Sequence, residues 1–218
     1  MIDLIYTGSG NKQLSAIAIE EGWKYGSQPK YHPHTSLTFA DHDFKRGNDI
    51  VYLNKYAAYI KENQPKYATA PDIMGEKSLS EILDWAELNL SSNVEAIIII
   101  PKLCGIIKDI PDNLDGCPII LGYSVPSSYG GTGVPLWEFA QRPVHLLGGN
   151  PRAQLYLSAY LNVISMDNNA MAKLAIRIGK AWSDVDFDFT DKDSNRRYWD
   201  TFRVSCAAIR RAWLCVAL

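Results

Sequence analysis

Short apolar runs alternate with amphipathic stretches along most of this chain. Residues 2–6, 23–25, 67–70, 96–100, 119–121, 144–147 and 163–166 read as seven buried strands. Helices are predicted over 13–21, 49–62, 79–90 with Ser78 as cap, 136–140, from Pro151 onward, 170–182 and 198–214. Apolar strands without in–out alternation, each followed by a helix, imply a parallel sheet covered on both faces. Seven such units favour closure into a small TIM-like (β/α) barrel over an open doubly wound sheet, as one domain over 1–218. The eighth unit is the weak one. The acidic segment 184–193 supplies an eighth strand poorly, and 26–47 reads as a long irregular loop.

The stretch 142–173 concentrates the chemistry. The run 144–147 is broken by Gly148 and Gly149, and Asn150-Pro151 supplies an N-cap with proline at the first helical position. The next strand, 163–166, leads to Asp167, Asn168 and Asn169 just past its end. Polar residues at the carboxyl ends of parallel strands are the usual site builders, and a barrel gathers those ends around one mouth. Tyr6, Asp72, Lys102, Tyr123, His145 and Asp167 all occupy such positions. Carboxylates facing one cavity suit acid, base or nucleophile roles in splitting a polar bond. The Gly148-Gly149-Asn150 turn at a helix start is a further candidate, for an anion. His145, on a strand, reads mainly as a satisfied core residue with a secondary place in the site.

Composition narrows the classes. The 218 residues are 47% hydrophobic and 21% charged with a formal net charge of -2, so contact with nucleic acid must come from local basic patches. Cys104, Cys117, Cys206 and Cys215 match no zinc spacing and read as reduced core thiols. Asp3 and the polar segment 8–11 interrupt the apolar start, and no apolar run approaches 18 residues; a cytoplasmic location with no membrane partner is expected.

The segment RPVHLLGG from Arg142, followed by proline, helix and the strand into Asp167, resembles tRNA-guanine transglycosylases, especially the archaeal type, over about thirty residues. The resemblance implies that Asp167 is a nucleophile attacking an anomeric carbon. It also implies that Asp72 in APDIMG reads the base, that Gly122 belongs to a glycine-bearing loop, and that Asp41 or Asp43 in FADHDF is a further active-site aspartate. The chain lacks the family's cysteine–histidine zinc cluster, is much shorter, and has Ile99-Ile100-Pro101-Lys102 where the guanine-binding strand carries glutamine and glycine. Small relatives, the DpdA-like DNA 7-deazaguanine transglycosylases and antiphage DNA glycosylases, act on DNA. The departures favour simple base excision, a DNA glycosylase acting on a modified base in antiphage defence, over base exchange. No cofactor and no metal are expected on this reading.

On that reading Asp72, Lys102, Gly122, Tyr123 and Ser124, with His145, Gly148, Gly149 and Asn168, line the base pocket. DNA would be gripped by Lys24, Lys30, Tyr31, His32, His34, Lys45 and Arg46 in and before the long loop, joined by Arg152, and by Arg196 and Arg197 on the last helix. For the last two, a solvated helix face balancing the acidic run is the plainer alternative. Two rivals stand beside the glycosylase. A metal-dependent hydrolase would use the His32-Pro33-His34 spacing with Asp41, His42, Asp43, Lys102 and His145; a silent DNA-binding module would use only the basic loops.

Overall fold

The strands join edge to edge until the sheet meets itself. The computed structural model describes residues 2–8, 10–47, 49–75, 77–127, 130–178, 181–182 and 194–216. In chain order the strands are β1 (Asp3–Thr7), β2 (Lys24–Ser27), β3 (Phe39–Ala40), β4 (Tyr67–Thr69), β5 (Ala96–Ile99), β6 (Asn113–Leu114), β7 (Cys117–Ser124), β8 (Pro143–Leu147) and β9 (Asn162–Asn168). All except β6 pair in parallel, in the order β5-β4-β3-β2-β1-β9-β8-β7, and β5 pairs back onto β7. The result is a closed barrel of eight parallel strands, a small TIM-like (β/α) barrel. Among the described strands only β6, antiparallel to the start of β7, lies outside this ring.

The helices cover the outside: α1 (Lys12–Glu20), α2 (Ile50–Asn63), α3 (Lys77–Leu90), α4 (Leu136–Phe139), α5 (Pro151–Leu157), α6 (Ala170–Ile178) and α7 (Ser194–Val216). Asn11 and Asp49 cap α1 and α2 through side-chain oxygens that accept from the first-turn N–H groups. Ser78 lies inside α3 and bonds Gly75 instead of standing before the helix. None of the described helices is long and apolar enough to cross a membrane.

Two apolar layers result. Leu4, Tyr6, Ile97, Leu121, Tyr123, Val144 and Met166 pack outward against the helices, while Ile5, Phe39, Tyr67, Ile98, Ile100 and Ile120 fill the barrel itself. Each such side chain removed from water contributes about 1.5–3 kcal/mol. Gly122 belongs to the inner layer. A Cβ there would lie 2.7 Å from Ile100 and 3.0 Å from Ile98 and Leu147, so its role is to admit those three side chains, not to contact a base.

The eighth strand corrects the sequence reading. It is β3, two residues inside the stretch read as irregular, and the segment 184–193 expected to supply it lies outside the described residues. The ladder extends beyond the pair: Thr38 N donates to Tyr25 O, Asp41 N to Ser27 O, and Tyr67 N to Thr38 O, all at 2.9–3.0 Å. From outside, the Tyr56 hydroxyl on α2 lies 2.9 Å from the carbonyl oxygens of both Ala40 and Thr69, tying β3 to β4. Borrowed bonds of this kind hold a strand too short for periodicity to reveal.

The amino end of the barrel is closed by Asp3, which is buried and takes Lys24 at 2.6 Å, Lys66 at 2.9 Å and the Tyr67 hydroxyl at 2.9 Å. Burial pushes its carboxyl up, but the hydrogen bonds from the two lysines and the tyrosine prevail and hold it below its usual value. Lys24, expected to grip DNA, is therefore committed at the end opposite the mouth. Replacing Lys24 by alanine should lower stability by about 1 kcal/mol, measured by chemical denaturation. An unchanged denaturation midpoint would mean that the pair with Asp3 contributes nothing. Of the cysteines, all free, Cys117 and Cys206 are core residues as expected, whereas Cys104 and Cys215 are exposed.

Candidate active site

At the carboxyl end of the barrel lies a cavity of about 460 Å³, lined by residues from strand ends all around the ring. Such a volume fits a small organic group. Asp167 projects into it as the last inward-facing residue of β9, inside the strand and not beyond its end as the sequence reading had it. It is only 8% exposed and both its oxygens are held. Thr7 Oγ1 donates to Oδ2 at 2.7 Å, and Gly148 N donates to Oδ1 at 3.0 Å. Gly148 has φ +55° and Gly149 φ +85°, the left-handed backbone that aims this N–H inward. The anion served by the Gly148-Gly149 turn is thus the chain's own carboxylate, and the Asn150 side chain is spent capping α5.

Beneath Asp167 lies His145, fully buried on β8. Its Nδ1 is 2.8 Å from Ser165 Oγ and its Nε2 is 3.4 Å from Asp167 Oδ1, while the ring stacks on Phe39 at 4.8 Å. His145 supports the carboxylate from below and lies outside the cavity lining. Gln154 on α5 donates to the Asp167 carbonyl at 2.9 Å and to the Gly148 carbonyl at 2.8 Å, locking strand and turn together.

Asp41 reaches the same cavity from just past β3. Gln28 Nε2 donates to its Oδ2 at 2.7 Å. Burial, then the negative charge of Asp167, push its carboxyl up to about 8, against the lowering effect of the Gln28 bond; Asp72 and Asp43 add to the rise. Asp43 does not line the cavity. It caps a 3-10 turn, Phe44–Arg46, by accepting from Lys45 N at 3.3 Å, and it pairs with Lys30 at 3.6 Å. Of the two aspartates between which the sequence left the choice open, Asp41 lines the cavity and Asp43 does not.

A third carboxylate, Asp72, lies across the cavity with Lys102, whose Nζ is 3.3 Å from Asp72 Oδ2 and donates to Ser124 Oγ at 2.6 Å. Burial raises the Asp72 carboxyl and Lys102 opposes the rise. Gly149, and Lys30, Tyr31 and Lys45 of the residues assigned to DNA from sequence, also border the cavity.

Other expected residues fall elsewhere. Tyr123 and Tyr6 face outward, edge-on to Phe139 at 5.1 Å and Phe202 at 5.2 Å. Asn168 also faces away from the cavity, bonding Gly149 O, Gln154 Oε1 and Ala170 N. His34 packs on Tyr25 at 5.0 Å, and His32 is exposed and away from the lining. Arg46 and Arg152 are exposed outside the lining. Arg196 and Arg197 sit in α7 with side chains outside the described residues. The histidines and acids of the metal-hydrolase reading are dispersed, and no group of three or more metal-type side chains gathers among the described residues.

Several lining residues escaped the sequence reading of the base pocket: Thr7, Gln28, Phe44, Asn169 and Lys173, with His42 named only for the metal-hydrolase alternative. Thr7 and Asn169 had a signal, standing beside residues that were singled out. Gln28 had none, because it gains meaning only from Asp41. His42 is buried against Tyr52 and Tyr56, and burial holds its imidazole down at about 4, against Asp43 and the Gly47 carbonyl.

A family model described as a family of unknown function (DUF6610) matches residues 18–214. No curated protein matches the chain.

Proposed function

The chain belongs to that family of unknown function, and from its site we propose that it is a DNA glycosylase, cleaving the N-glycosidic bond of a modified base and leaving an abasic site. The observation that carries the reading is the pairing of unlike carboxyl groups around one cavity: Asp167, cradled by Thr7 O–H and Gly148 N–H, and Asp41, whose raised value keeps it protonated at neutral pH. A carboxylate facing a carboxylic acid is the combination that splits a glycosidic bond.

The extruded base enters between Asp41 and the Asp72–Lys102 pair. Asp41 gives its proton to the base as the C1′–N bond breaks, and the bonding electrons leave with the base. Asp167 stabilises the oxocarbenium-like sugar or bonds to C1′. Water then attacks C1′, giving its proton to Asp41, and releases Asp167. Water completes hydrolysis; a free base in its place would complete exchange. Incubation with labelled 7-deazaguanine separates the two, with unlabelled abasic DNA expected and label in the DNA the contrary result.

The DNA grip is expected on the loop after β2, where Lys30 lies over the Tyr31 ring at 5.3 Å, and on the turn after β3, which carries Lys45 and Arg46. Charge reversal at Lys30 and Lys45 together should weaken DNA binding and reduce the slope of log affinity against log salt by about 0.9 for each phosphate no longer neutralised. An unchanged slope would place the DNA path elsewhere. Acting on phage genomes, such an enzyme would serve antiphage defence.

A further inference from the structure

Phe44 is a large apolar side chain at the rim of the cavity that the bond-breaking chemistry leaves unused. It is 57% exposed yet borders the cavity, and in the chain it is followed by the exposed Lys45 and Arg46. A lone exposed phenylalanine is ordinary, but this one stands on a built platform. Asp43 caps the turn from within, Arg46 N donates to Asp43 O at 2.8 Å, and Gly47 N closes onto Phe44 O at 3.2 Å. On the far side the Asp43 N–H donates to the Tyr52 hydroxyl at 2.9 Å, fixing the turn to α2. An apolar ring is therefore presented on a turn held by hydrogen bonds, followed in the chain by two cations, beside a pocket of base-binding size.

A base drawn out of a duplex leaves a gap that closes again unless something fills it, and aromatic rings fill it by stacking on the neighbouring bases. Resting on the glycosylase reading, we propose that Phe44 is the wedge that occupies this gap in duplex DNA, with Lys45 and Arg46 on the flanking phosphates. A solvated surface residue explains the exposure, but not the cationic turn or the place at the rim. Phe44 would then act on extrusion and leave bond breaking to the aspartates.

The test compares base release from native phage DNA carrying hypermodified bases with release from the same DNA heat-denatured, which has little stack to invade. Phe44→Ala should lower the ratio of the native to the denatured rate by about tenfold, the scale of a single aromatic–base stack, whereas Phe44→Trp should preserve it. Because the side chain is exposed, neither variant should unfold the protein, which circular dichroism checks. An unchanged ratio in Phe44→Ala, or a Trp variant as impaired as the Ala variant, overturns the wedge. Wild-type protein that releases base only from denatured DNA overturns it as well. If the wild type releases no base from either form, the glycosylase reading itself falls and the wedge with it, a failure recognisable because it does not depend on residue 44.

Discussion

Asp167→Asn is expected to reduce base release by about a thousandfold or more while leaving the barrel folded. The amide is the same size and can still accept from Gly148 N, and its NH2 can donate to Thr7 Oγ1, since a hydroxyl accepts as well as donates. His145 keeps Ser165 as a partner on its other nitrogen. What the variant loses is the negative charge beside the developing positive charge at C1′, and the capacity to form a covalent glycosyl intermediate. DNA binding should persist, because the grip proposed above lies at the rim and not at the barrel axis. A catalytically silent DNA-binding module would show the same binding with no turnover in either form.

Asp41→Asn should cost about 10²–10⁴-fold in rate, the usual worth of a general acid. Its distinguishing mark is pH dependence. With the carboxyl raised to about 8, wild-type turnover should decline as pH rises through that value, and the asparagine variant should lose this limb. Stability carries the same signature. The folded value lies above the ordinary 3.8, so the native state keeps a proton that the unfolded chain releases between about 4 and 8. Native stability from this group is full below that window and is lost as pH rises through it. The wild-type melting temperature should thus fall relative to that of Asp41→Asn between pH 5 and pH 9. Parallel melting curves across this range would mean that Asp41 is not protonated in the native state.

The barrel was legible because most of its strands are apolar runs bounded by glycine, proline or polar residues, although β2 (KYGS) is mostly polar. β3 was not, since two residues carry no period and the strand exists through bonds lent by Tyr25, Ser27 and Tyr56. The same property that reveals parallel strands conceals their facing. Apolar on both sides, they show no alternation, so Tyr6 and Tyr123 read as mouth residues although Thr7 and Ser124, one position on, are the ones that face inward. Asp167 and Asp72 were found because an acid at a strand end is conspicuous from sequence alone. Lys24 misled for the complementary reason: a basic residue near a strand advertises charge but not which end of the barrel it occupies. The partnership of Gln28 with Asp41 is tertiary and leaves no trace in the order of residues, whereas Asp43 bonding Lys45 N two residues on is local, an aspartate turn that sequence can signal.

The most direct measurement incubates wild-type protein and Asp167→Asn with ordinary DNA and with phage DNA carrying hypermodified bases. Released bases are read by mass, and abasic sites by strand breakage. Release from the modified DNA by the wild type, absent from ordinary DNA and absent in the variant, is the predicted result. Equal release by the variant, or none from any DNA by the wild type, would contradict a glycosidic cleavage centred on Asp167.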